Sequence, residues 1–441
     1  MLIFRGRMPK AKIFVRYCRC LRNQACVLLV LATVLPGAHA AVEQSVTPLT
    51  LQEAEELALN DEPGRSSYLF RAEGLREESV AGGQLPDPTL RVGIGNFPIQ
   101  SGGFTTEGMT QAQLAVRQVF PGGDTRELTT QKFQELAEEM NHKADGRGRD
   151  VLTAVRIAWL ESHYWRDAQQ ITIESRPFFE DLATITRSLY SVGRKNQQDV
   201  LRAELELSRL DDRIIEMSKQ HSHSLAVLSE WVGTDAARPV AVQMPEWAAI
   251  PPLEEMQARL QTHPTLMAAD ASVGASLTGV ELARQQYKPD WAVDLGYGYR
   301  SGTLPNGDPR SDFVSLSVTV DLPFFRGKRQ DRALGAALSE RRAANQSREQ
   351  VSRRLASQLE AEHVRWQDLG RRLELYERLI LSISADNANA ALAAYQSDTG
   401  DFADVMRGYV DDLNTRLDYV RLQVERAQSF AVLANLGGIP R

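Results

Sequence analysis

Of the 441 residues, 43% are hydrophobic and 24% charged, with 57 acidic against 51 basic side chains and a formal net charge of −6. That acidic balance speaks against nucleic acid as a partner. All three cysteines, Cys18, Cys20 and Cys26, lie near the start, so the rest of the chain has no disulfide and no thiolate ligand.

The chain opens with Arg5, Arg7, Lys10, Lys12, Arg16, Arg19 and Arg22, then a short apolar run from Ala25 to Leu35, then Ala38-His39-Ala40. This is the pattern of an export signal over residues 1–40, with Ala41 as the mature start and Met8 as an alternative initiator. The apolar run is too short to span a bilayer as a helix. The leader holds seven basic residues and no acidic ones, so the mature chain, 41–441, carries 44 basic against 57 acidic residues, a net charge near −13. No cysteine follows the apolar run in a lipoprotein-like context, and no N-terminal lipid is expected.

Thr50-Leu51-Gln52-Glu53 reads as a capping box that starts the first mature helix. Four later segments alternate with period two, the mark of strands with two unlike faces. Leu90, Val92 and Ile94 alternate with Arg91, Gly93 and Gly95; Leu114, Val116 and Phe120 alternate with Gln113, Ala115 and Arg117. Trp291, Val293, Leu295, Tyr297 and Tyr299 alternate with Ala292, Asp294, Gly296, Gly298 and Arg300. Val314, Leu316, Val318, Val320 and Leu322 alternate with Ser315, Ser317, Thr319 and Asp321. Each is about ten residues long, as a tilted strand crossing hydrocarbon must be. On that reading Leu90, Val92, Ile94, Leu114, Val116, Val293, Leu295, Leu316, Val318 and Val320 face lipid, and the polar or glycine faces suit a wet lumen. Aromatics gather at the strand ends. An ordinary half-buried sheet in a soluble domain would show the same alternation. The connections Phe97–Thr110 and Ser301–Ser311 are rich in Gly, Ser, Thr and Pro, as exposed loops are, and would face the exterior.

Helical pattern runs from about Gly123 to Tyr190 and again from about Gly327 to Tyr395, rods of roughly 100 Å each at the rise of an α-helix. Return helices follow over Gln197–Trp231 and Phe402–Leu436. In the second, Val410, Leu413, Leu417, Val420, Val424, Ala427, Ala431 and Ala434 keep a three–four spacing, a coiled-coil seam. Leu210, Ile214, Met217, His221, Leu225, Leu228 and Val232 form a looser seam in the first. Pro177 predicts a kink or break in the first rod, and Gly146 and Gly148 weaken it. The region around Ser382, its counterpart, has no proline.

The two halves repeat. Pro63 and Pro88 recur as Pro264 and Pro289, each 201 positions later; Pro121 recurs as Pro323 at 202, and Tyr190 and Asp199 as Tyr395 and Asp404 at 205. Each half reads helix, strand, loop, strand, long helical hairpin: repeat 1 over about 48–233, a proline-rich linker or belt at 234–252, and repeat 2 over about 253–437.

Little here supports an enzyme. The mature histidines His142, His163, His221, His223, His263 and His363 are scattered. His221 and His223 stand two apart, on different helix faces, and cannot chelate together. Neither GxSxG nor HExxH occurs, and Gly93-Ile94-Gly95 precedes no helix. The sequence therefore predicts no catalytic residue, metal site or cofactor.

With these elements in place, the sequence resembles the TolC-like outer-membrane efflux protein family across the mature chain. The resemblance rests on Leu49–Ala54, Leu85-Pro86-Asp87-Pro88-Thr89-Leu90, Gln118-Val119-Phe120-Pro121-Gly122-Gly123 and Tyr190-Ser191-Val192-Gly193. It implies a mainly α, mixed fold whose homotrimer closes a twelve-stranded outer-membrane β-barrel, continued by a periplasmic α-helical tunnel. Physics asks for oligomers independently: four strands leave open edges in lipid, and eight leave little lumen. The resemblance further implies passive conduction, a periplasmic adaptor and an inner-membrane pump. It places adaptor docking at the tips, Val192, Gly193 and Arg194 with Thr399, Gly400 and Asp401, where glycine also serves as a plain helix end. Arg194 departs from the apolar residue frequent in the family. Asp398, Asp401 and Asp404 are candidates for a periplasmic gate, or a solvated acidic turn. The LPDPTL and VFPGGDTR stretches resemble the heavy-metal branch, which works with resistance-nodulation-division pumps. A drug-efflux or type I protein secretion duct, and a periplasmic coiled-coil scaffold without a pore, remain the alternatives.

Overall fold

Thr50 begins the first helix as its spacing predicts: its hydroxyl accepts from the Glu53 amide at 3.2 Å and α1 runs Leu51–Leu59. The computed structural model describes residues 47–439 apart from Asp61 and Ala248, so the export signal and mature start expected at 1–41 lie outside the described residues. The other half of the capping box does not form. The Glu53 carboxylate turns to Arg238, which donates to both its oxygens at 2.7 and 2.9 Å. A two-point guanidinium pair outcompetes a single amide for a carboxylate.

Helix α2 (Pro63–Gly82) follows, then strands β1 (Thr89–Gly95) and β2 (Gln111–Phe120), then α3 (Thr125–Ser191) and α4 (Gln197–Val232). The second half repeats the plan with α5 (Leu253–Arg259), α6 (Pro264–Gln285), β3 (Trp291–Tyr299) and β4 (Phe313–Val320). It ends with α7 (Gln330–Leu375), a π-helical turn (Tyr376–Ile380), α8 (Leu381–Gln396) and α9 (Phe402–Gly437). Pro63 and Pro264 each occupy the first turn of their helix, where the missing N–H costs nothing.

Pro177 does not interrupt α3, which spans 67 residues. The flanking side chains hold it: Phe179 and Leu182 are buried, Phe178 and Phe179 pack against Tyr409 at 6.1 and 5.8 Å, and Arg176 pairs with Asp211 across the hairpin at 2.7 Å. The irregularity falls instead in the proline-free rod, as the π-turn, which inserts residues without ending a helix. Gly146 is buried against the start of α6, where an added Cβ would meet Thr265 and Pro264 only at ordinary contact distance.

The strands form one antiparallel sheet in the order β1-β2-β3-β4. The α4 and α9 seams point inward as their spacing predicts: Leu210, Met217, Leu228 and Val232, and Leu413, Leu417, Val424, Ala427, Ala431 and Ala434, are buried. One core lies between the hairpins and holds Phe179, Leu182, Met217, Tyr395, Phe402 and Val405. Another gathers Leu49, Val155, Trp159, Leu228, Val240 and Val424 where the linker crosses the helices. The linker is thus a belt. Val240 bridges Leu49, and Arg166 donates to the carbonyls of Val240 and Ala241 at 2.8 and 2.7 Å. His163 meets the Val242 carbonyl at 3.0 Å, and burial pushes its imidazole below the usual range. Beneath the belt, Arg156 and Glu55 form a buried ion pair at 2.5 Å.

Candidate functional site

Register decides which strand residues share a face. Leu90 pairs with Val116 and Val92 with Leu114; Val116 pairs with Leu295 and Gln118 with Val293; Leu295 pairs with Leu316, Val293 with Val318 and Trp291 with Val320. Directly opposed residues project to the same side, so all ten predicted lipid-facing residues share one face, apolar apart from Gln118, whose amide donates to the Pro86 carbonyl at 2.8 Å. Nine of them are exposed, Leu90, Val92, Ile94, Leu316 and Val318 by 60% or more, and Val293 is half-buried. The opposite face carries Arg91, Gln113, Arg117, Asp294, Ser315, Ser317 and Thr319, with Arg117 and Asp294 3.8 Å apart. An apolar face turned outward over a polar one inverts the usual soluble sheet.

Aromatic side chains mark both ends of the apolar face. Phe120 stacks on Trp291 at 4.9 Å near the helices, and Tyr297 and Tyr299 stand at the loop end. Sequence reasoning left the two loops unconnected, yet arginines lace them. Arg300 donates to the Ser311 and Gly108 carbonyls at 2.7 and 3.2 Å, and Arg310 to that of Glu107 at 3.1 Å.

The hairpin tips lie at the far end of the helices and follow the same plan. The Gly193 amide donates to Tyr190 and that of Arg194 to Leu189, at 2.9 and 3.0 Å. At the second tip Asp398 donates to Tyr395 and Thr399 to Ala394, at 3.2 and 2.9 Å. Both are Schellman turns, which need a left-handed residue after the helix. At the first tip this is Gly193, φ +75°; at the second it is Asp398, φ +66°. Gly400, expected as the helix-ending glycine, is not that residue. It is small for a different reason, since a Cβ there would fall 2.9 Å from Ala394 Cβ and 3.2 Å from its carbonyl carbon.

The structure brings the two tips together. Lys195 reaches Asp398 at 2.8 Å, with Arg194 3.8 Å from the same carboxylate. Lys195 also lies 4.7 Å over the Tyr395 ring. The Lys195 hydrogen bond holds the Asp398 carboxyl below the usual range, and Asp398 in turn raises Lys195. Of the three candidate gate carboxylates, Asp398 is therefore ion-paired within the chain, Asp404 pairs with Arg407 at 3.1 Å, and Asp401 stands at the N-cap position of α9 without a side-chain cap bond. A groove lined by Arg194, Lys195, Asp199, Arg202 and Asp401 separates the turns. Val192 projects from the first tip, 66% exposed. Sequence reasoning missed Lys195, although its basic doublet with Arg194 at the repeat position of an acidic tip was the available signal.

A sequence model described as outer membrane efflux protein matches residues 256–438, the second repeat. The likeness to the outer membrane efflux protein family is thus carried by the second half of the chain. Protein CyaE of Bordetella pertussis is 26% identical over 415 residues, 89% of this chain and 85% of that one. Among solved structures, CusC superposes with a TM-score of 0.76 at 13% identity, covering 89% of this chain and 92% of the other. VceC of Vibrio cholerae gives 0.74 at 16%, covering 88% and 96%, and the outer-membrane channel OprN gives 0.73 at 16%, covering 88% and 89%. These likenesses carry the fold: a mainly helical chain with one four-stranded sheet. Among the described residues no helix is long and apolar enough to cross a membrane.

Proposed function

We propose that this chain is an outer membrane efflux protein, three copies of which close a twelve-stranded barrel and act as the passive outer-membrane duct of a tripartite efflux system. The observation that carries this reading is the open sheet, apolar on one face and polar on the other, with unpaired edges at β1 and β4. Unpaired backbone groups are untenable in lipid, and copies joined β4 to β1 would satisfy them. A periplasmic adaptor docks at the tips, through Val192, Gly193 and Arg194 and through Thr399, Gly400 and Asp401. An inner-membrane pump of the resistance-nodulation-division type supplies the energy. Asp401 and Asp404, with Asp398 when released from Lys195, narrow the entrance; converging carboxylates attract cations and resist close approach. The substrate class is heavy-metal cations, delivered rather than selected here.

A second reading, a general drug or polypeptide duct, is favoured by the 26% identity to Protein CyaE over 89% of this chain. A susceptibility panel on a deletion strain and its complemented control decides between them. Hypersensitivity confined to copper, silver, zinc, cadmium or cobalt supports metal efflux, whereas sensitivity to drugs alone, or to nothing, rejects it.

A further inference from the structure

The two strand-to-helix junctions occupy equivalent places in the repeat but differ in chemistry. After β2 the chain reads Gly122-Gly123-Asp124; after β4, 202 positions on, it reads Phe324-Phe325-Arg326. The first junction is packed shut. Gly122 donates to Asp290 at 2.6 Å, and a Cβ on Gly122 would fall 2.7 Å from the Pro289 carbonyl. The second is open, with nothing within 4 Å of a Cβ on Gly327. Phe324 and Phe325 are 77% and 84% exposed.

Charge departs from expectation at the same place. Helix α3 starts with Asp124 at its cap and Glu127 in its first turn, as the helix dipole favours. Helix α7 starts with Arg329 at its cap and no side-chain cap bond, and Arg326, Lys328 and Arg332 crowd the same turn. Its one acidic first-turn residue, Asp331, is taken by the Tyr287 hydroxyl at 2.6 Å. Arg326 donates to the Pro323 carbonyl at 2.9 Å and lies 5.8 Å over the Tyr287 ring. Among the described residues, none of these four basic side chains has a carboxylate within ion-pair distance; Lys288 is paired with Asp124 and Arg348 with Asp270. Four unneutralised cations at a helix N-terminus are mutually repulsive, and an external anion would relieve them.

Position names that anion. Trp291, stacked on Phe120, is paired with Val320 at the end of β4, so an aromatic row closes the apolar face here. Leu322, Phe324 and Phe325 come next in the chain, all more than 60% exposed, and the cations follow immediately. We propose that the β4–α7 junction binds the phosphate of anionic phospholipid headgroups in the inner leaflet of the outer membrane. Phe324 and Phe325 enter the acyl boundary, and Lys328, Arg329 and Arg332 hold the headgroup. The inference rests on the reading of the sheet as the membrane-crossing wall.

The test uses the purified full-length oligomer in detergent, with bound lipid counted by native mass spectrometry. Wild type is expected to retain phosphatidylglycerol at least tenfold over phosphatidylcholine at low salt. Lys328→Gln/Arg329→Gln/Arg332→Gln loses that preference, at about fivefold per charge. Phe324→Ser/Phe325→Ser weakens retention of both lipids and keeps the preference. Equal retention by wild type, or an unchanged preference in the triple variant, overturns the proposal. So does displacement of the lipid by millimolar inorganic phosphate, which would make the site one for the free ion. Loss of the lipid-free oligomer in the triple variant also overturns it, because the cations would then hold a neighbouring copy. Wild-type chain missing from the outer-membrane fraction defeats the wall reading itself, a result distinct from all of these.

Discussion

Leu316 sits midway along β4, three residues from its start and four from its end, with 70% of its surface exposed. At about 3.3 Å per residue the strand is about 26 Å long, which places Leu316 near the middle of an apolar band about 25 Å tall. An arginine there would sit where lipid is driest and cost about 2–4 kcal/mol, about 30- to 900-fold in the assembly equilibrium. The neighbouring residue gives the internal control. Ser317 projects to the opposite face and pairs with Asp294, so Ser317→Arg places the same charge on the polar side, beside a carboxylate, at little cost. The assay is the fraction of heat-modifiable oligomer in the outer membrane, read for both variants at matched expression. Leu316→Arg is expected to lose most of it and Ser317→Arg to keep it. Equal assembly of the two would refute the face assignment, and normal assembly of both would favour the scaffold without a pore.

Truncating Arg156→Ala removes the guanidinium from the buried pair with Glu55 and should lower stability by about 3 kcal/mol; Glu55→Leu/Arg156→Met should recover most of it in thermal unfolding. The tip bridge has a defined pH window. Asp398 is depressed, so its contribution is complete above the usual aspartate range, about 4, and fades as pH falls through its lower folded value. Lys195 is raised, so its contribution is complete below the usual lysine range, about 10.4, and fades as pH rises past that. Spin labels on the two tips should stay close across neutral pH and separate at either extreme, and Asp398→Asn should abolish the acid transition. Gly193→Ala should cost about 1–2 kcal/mol from left-handed strain alone, since nothing crowds its Cβ. Gly400→Ala should cost more in the same melt, because Ala394 stands in the way.

The sequence carried the architecture because its evidence is local or periodic. Alternation in Val314–Val320 identifies a strand, the three–four spacing from Val410 to Ala434 marks a seam, and the shared offset of Pro63 and Pro264 exposes the repeat. What it missed depends on long-range competition. Nothing near Glu53 announces that Arg238, in the belt, would take its carboxylate from Thr50. Pro177 is a strong local breaker, overridden by the packing of Phe178 and Phe179 against Tyr409. The π-turn at Tyr376–Ile380 has no sequence mark at all. At the tips, glycine was read as the turn residue in both repeats. The second repeat instead tolerates Asp398 in the left-handed conformation, a conformation aspartate accepts more readily than most residues. That choice places a carboxylate beside Lys195, a contact that appears only when the two hairpins are folded side by side.

The most direct test of a water-filled duct is conductance in planar bilayers with single cysteines on either face, because the expected mature chain has none of its own. Stepwise currents that an impermeant cationic thiol reagent blocks in Ser317→Cys, and leaves unchanged in Leu316→Cys, are the predicted result. Absence of conductance steps, or block from the Leu316 side, would contradict the account.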